Sequence, residues 1–133
     1  MVQFAGKYVH DKDENFEAFL EKMDFTSDKR KAALDSKPEH VVTVDGDAWT
    51  LSSKYSTRTS VSAFKLNQAT EVEGGSEGKS KVIFKLDGNT LHQEGLESNS
   101  TLIVDRLFDE NGMKMVLKHK PSNTTATRYF KRV

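Results

Sequence analysis

The 133-residue chain is predicted to be all-β, a ten-stranded antiparallel up-and-down barrel with a helix-turn-helix lid between its first two strands. Three observations predict it. From His40 onward, short runs of alternating apolar and polar residues follow one another, as strands with one buried face require. Hairpin turn residues separate these runs, Asp45-Gly46-Asp47 and Asp87-Gly88-Asn89 being the strongest signals. Helical periodicity is confined to one stretch near the N-terminus.

The elements follow in order. "VQFAGKYV" alternates Val2, Phe4, Gly6 and Tyr8 on one face and reads as the first strand. The lid is expected at about 14–36. In "DENFEAFLEKM", Phe16, Phe19, Leu20 and Met23 recur at helical spacing, with Asp13 placed to cap and Glu14 and Glu17 in the first turn. A second helix, "SDKRKAALDS", follows at once and stops before Pro38. Then come "HVVTV", "AWTLSSKY", "TSVSAFKL", "TEVE", "KSKVIFKL", "TLHQE", "STLIVDRLF", "MKMVLKH" and the terminal "TATRYFKRV". Strands in hairpin succession are antiparallel neighbours, and closure into a barrel removes exposed edges. Eight strands enclose an interior that side chains just fill, so ten are expected to leave a cavity.

The chain length suits one domain spanning 1–133. Twenty Lys+Arg balance twenty Asp+Glu, so no global field points to nucleic acid. Cysteine is absent, which excludes disulfides and thiolate metal sites. The N-terminus carries no apolar signal core and no run approaches a membrane span, so a soluble, cytoplasmic protein is expected; a monomer is the expected state. The four histidines, at 10, 40, 92 and 119, show no metal-ligand spacing, and no serine sits in a nucleophile elbow. The expectation is therefore a protein with no catalytic residues, no metal and no cofactor.

One residue stands against its surroundings. Period two in "TATRYFKRV" puts Arg128 on the same face as Ala126 and Phe130, the more apolar one. A guanidinium stays charged, so an inward Arg128 costs several kcal/mol unless an anion meets it. If that anion comes only with a ligand, the empty protein is expected to hold or gain stability when Arg128 becomes glutamine.

"FAGKY", "NFEAFL", the helix-turn-helix, Lys37-Pro38, Asp45-Gly46-Asp47 and a terminal Arg-x-aromatic, in this order, resemble the intracellular fatty-acid-binding protein family over Phe4 to Lys131. The resemblance implies a β-clam whose cavity carries a long-chain lipid acid, its carboxylate held by arginines and a tyrosine. Arg128 matches the family's terminal arginine. Arg106 is the best match to its second internal arginine, although a one-residue shift would turn Asp105 inward instead, and Asp105 could also pair with Arg106. Tyr8 stands where the family has Trp, Phe130 where it has the tyrosine, and "STRT" at 56–59 where it has a portal phenylalanine.

Candidate cavity lining comprises Phe16, Phe19, Leu20, Met23, Ala33, Pro38, Tyr55, Phe64, Met115, Leu117 and Phe130. Lys22, Lys29, Arg30 and Lys31 gather on the lid and are candidates for transient contact with anionic membranes. Retained arginines favour an acid as ligand. A retinoid carrier of the same family, or an interaction module with a vestigial cavity, remain the alternative functions.

Overall fold

A computed structural model describes residues 4–22, 27–28, 30–31, 37–54, 59–73, 79–96 and 102–133. Ten strands are present: β1 (Gly6–Glu14), β2 (Glu39–Asp45), β3 (Ala48–Lys54), β4 (Thr59–Lys65), β5 (Ala69–Glu73), β6 (Lys79–Asp87), β7 (Thr90–Gly95), β8 (Leu102–Phe108), β9 (Gly112–His119) and β10 (Thr124–Arg132). They form one antiparallel sheet in the order β4-β3-β2-β1-β10-β9-β8-β7-β6-β5. The chain termini pair through β1 and β10, and the sheet curls into a nearly closed barrel whose open seam lies between β4 and β5. The turn across that seam is tied on both sides. Leu66 N–H donates to the Asp47 carbonyl and Asn67 N–H to the Phe84 carbonyl.

Turn chemistry sets the register. Gly46 and Gly88 adopt φ of 64° and 59°, where a side chain would be strained, so each hairpin turns at its Asp-Gly step. At the start of β9, a Cβ on Gly112 would run into the Phe130 carbonyl oxygen, so only glycine lets β9 begin this close to β10. The alternating inner residues then form one apolar core. Its centre holds Tyr8, Val42, Trp49, Phe64, Phe84, Leu91, Val104 and Phe108, with Phe64 and Phe84 stacked at 3.7 Å between ring centroids. Tyr8 fills its packing position and donates its hydroxyl to the Phe4 carbonyl at 2.8 Å.

The helical region begins later than the sequence suggests. Glu14 belongs to β1, and α1 runs from Phe16 to Lys22, with Glu17 in its first turn. The residue before the helix is Asn15, not Asp13. Asn15 has φ of 58°, its carbonyl accepts the Phe19 N–H, and its side-chain amide donates to the Thr125 carbonyl of β10 at 2.8 Å. Through Phe16, Phe19 and Leu20, α1 packs on Ala126 with Leu102 and Leu117 alongside, so the apolar stripe of the helix meets one end of the barrel. The described residues 27–28 and 30–31 are helical as well.

Candidate ligand-binding site

β10 presents Ala126, Arg128 and Phe130 inward, all three buried, and Arg128 is only 7% exposed. Its partner comes from an irregularity in β1. Along β1, Tyr8 and His10 face inward opposite Arg132 and Phe130, and simple alternation would next send Lys12 inward. The ladder instead slips by one residue between His10 and Lys12. This bulge reverses the parity, so that Asp13 pairs across from Arg128 and points in. Arg128 Nε donates to Asp13 Oδ1 at 2.8 Å, and His10 Nε2 lies 2.9 Å from the same oxygen. The guanidinium also lies over the Phe16 ring, 4.2 Å from its centroid. The residues flanking Asp13 face outward: Lys12 lies over the Tyr129 ring, and the Tyr129 hydroxyl donates to Glu14 Oε1 at 2.9 Å. Asp13 therefore serves as an internal counter-ion and not as the helix cap expected of it. The inward Arg128 has an anion before any ligand arrives.

The second arginine sits on β8. Val104 and Phe108 are buried on the inner face, and Arg106 shares their phase. Its Nη1 donates to Gln93 Oε1 of β7 at 2.9 Å. Asp105 has the opposite phase and lies across the ladder from His92, whose Nδ1 is 2.6 Å from Asp105 Oδ1. Of the two residues that could face inward, Arg106 does so.

A third residue on the inner face, itself buried, was passed over by sequence reasoning. His40 of β2, 8% exposed, bonds through Nδ1 to Ser53 Oγ at 2.7 Å and meets the Phe130 ring edge to face at 4.6 Å. Burial first, and then the charges of Arg106, Arg128 and His10, push its pKa down to about 3. The imidazole is thus held neutral by burial above all, with the neighbouring cations adding to it. Inspecting histidines for metal spacing missed it. Its phase with Val42, buried two residues on, was the available signal.

The apolar candidates that are described are buried or half-buried. Pro38, Phe64, Met115 and Phe130 are buried on the barrel side, Leu117 is half-buried, and Phe16, Phe19 and Leu20 are buried beneath α1. Met23, Ala33, Tyr55 and Lys29 lie outside the described residues. Of the basic lid residues, Lys22 and Lys31 are exposed and Arg30 is half-buried. Among the described residues, no cluster of three or more His, Asp or Glu could hold a metal ion. No described helix is long and apolar enough to cross a membrane.

No protein-family model matches the chain. Curated relatives match it over nearly its whole length. Sodium/calcium exchanger regulatory protein 1 of Doryteuthis pealeii is 29% identical, covering 99% of this chain and 98% of its own. Fatty acid-binding protein 12 of Mus musculus is 30% identical and covers 98% of each. Among solved structures, the fatty acid-binding protein in brain tissue of Drosophila melanogaster superimposes with a TM-score of 0.86. It is 31% identical, and the match covers 97% of this chain and 99% of that one. Together with the ten-stranded barrel and its two inward arginines, these matches show that the chain belongs to the fatty-acid-binding protein family.

Proposed function

We propose that the chain is a non-catalytic carrier, a single cytoplasmic lipid-binding domain acting as a monomer. It takes a long-chain fatty acid into the barrel interior, with the carboxylate toward Arg128 and Arg106. The observation that carries this reading is the pair of inward arginines in an apolar barrel, Arg128 buried on β10 and Arg106 in phase with the buried Val104 and Phe108 on β8. A positive site within an apolar enclosure suits a ligand with one anionic end and a long apolar body. At about 0.8 kcal/mol per buried methylene, some fourteen methylenes give about 11 kcal/mol gross, from which association entropy removes several. The remaining affinity is micromolar to nanomolar. The acyl chain provides most of it, and the arginines fix orientation and select for an acid.

Native mass spectrometry of the protein purified without delipidation, followed by titration with a fluorescent fatty acid, tests the reading. A co-purified fatty acid and saturable uptake are expected. A co-purified retinoid transfers the site to retinoid carriage. Nothing bound and no uptake leaves the barrel as an interaction module.

The exposed Lys22 and Lys31 support a role of the lid in transfer to anionic membranes, at about 1 kcal/mol per basic residue near the surface. Reversing Lys22, Lys29, Arg30 and Lys31 to Glu is expected to slow transfer of a fluorescent fatty acid to phosphatidylserine vesicles at low salt, with equilibrium affinity nearly unchanged. Equal transfer rates in a stopped-flow assay end the membrane-contact reading.

A further inference from the structure

The Asp13 carboxylate already occupies the place beside Arg128 that a lipid carboxylate would seek. We propose that Asp13 is a displaceable internal counter-ion: an incoming lipid acid takes its place on Arg128, and Asp13 thereby sets how strongly the barrel prefers acids over neutral lipids. This rests on the carrier reading above.

Four features make the exchange feasible. First, the arginine has a hold that does not depend on Asp13, since its guanidinium lies on the Phe16 ring at 4.2 Å. Second, Asp13 has another partner, because His10 Nε2 lies 2.9 Å from the oxygen that accepts from Arg128. Third, Asp13 sits just past the bulge, where the β1–β10 ladder is already irregular, and its side chain is 17% exposed against 8% for that of Arg128. Fourth, Asp13 borders a surface depression against α1, lined also by Phe16, Glu17 and Glu21, so a displaced carboxylate moves toward water and not deeper into the core. Of the two ion-pair partners, the carboxylate is the one with an exit.

The chemistry gives a direction opposite to that of a merely structural pair. An anion that leaves Arg128 on ligand entry competes with the ligand, so its removal strengthens acid binding. A residue that only holds Arg128 in position supports the ligand, and its removal weakens acid binding. Isothermal titration of oleic acid and oleyl alcohol against the parent and Asp13→Asn separates the two. The asparagine keeps the shape and one acceptor but loses the charge. We expect oleic acid to bind Asp13→Asn about fivefold more tightly or better, with oleyl alcohol unchanged, so that selectivity for the acid rises.

A crystal structure of the parent with oleic acid gives a second measurement that does not depend on the variant folding. The expected result is a lipid carboxylate on Arg128 and an Asp13 Oδ1 to Arg128 Nε separation beyond about 4 Å. Unchanged or weaker acid binding by a folded Asp13→Asn, or an Asp13–Arg128 bond retained in the oleate complex, overturns the inference while leaving carriage intact. A parent that binds neither probe overturns carriage itself, and the inference with it.

Discussion

Arg128→Gln weakens a long-chain fatty acid by about 1.5–3 kcal/mol and leaves the matching fatty alcohol unaffected. One charge-assisted hydrogen bond is lost to the acid, and its anion then enters an interior that still holds the Asp13 carboxylate. The alcohol has no charge to lose. The same substitution lowers the stability of the empty protein. From sequence, an internal cation without a partner made the opposite result the expectation. The ion pair reverses it, because removing Arg128 leaves Asp13 inside with His10 as its remaining described contact. Breaking a fully buried pair from one side costs about 3–5 kcal/mol. The 17% exposure of the Asp13 side chain and the His10 contact bring the expected loss to about 1–3 kcal/mol. Isothermal titration with both ligands and urea unfolding of both proteins measure the two effects. If acid affinity is unchanged, Arg128 takes no part in holding the carboxylate.

The reversal shows where sequence reasoning stops. The strands were legible because each carries its own alternation and each turn its own chemistry. Gly46 and Gly88 occupy left-handed φ as an Asp-Gly turn requires, and Val104, Arg106 and Phe108 share a phase that puts Arg106 inside. Asp13 was not legible. The bulge that turns it inward adds one residue to β1, and its cause lies in pairing with β10, more than a hundred residues away in the chain. Locally, an aspartate ahead of "NFEAFL" has the form of a helix cap, and only the tertiary partner shows that Asn15 holds that position. His40 lay between these extremes. Its phase and burial were readable, but the charges that add to burial come from arginines on β8 and β10 that no local pattern connects to β2.

His40 also gives the empty protein a steep response to acid. Its pKa is about 3 in the folded state, against about 6.5 for an unperturbed histidine. Between these values the unfolded chain binds a proton at this position and the folded protein does not. Acidification therefore favours unfolding, and stability rises with pH across the window. Nothing is lost above about pH 7, the loss begins near 6.5, and it grows as the pH approaches 3. From His40 alone it amounts to roughly 2 kcal/mol at pH 5 and roughly 3 kcal/mol at pH 4. His40→Gln retains a side chain able to bond Ser53 and removes the titration, so the difference between parent and variant isolates this residue from the carboxylates that protonate over the lower part of the range. Urea unfolding of both proteins at pH 7.5, 5 and 4 is the measurement. The variant's stability should fall less than the parent's by these amounts, and the gap should close above pH 7. Parallel pH profiles would mean that His40 accepts a proton in the fold as readily as in the unfolded chain. Neither burial nor the neighbouring guanidiniums would then disfavour a cation at this position.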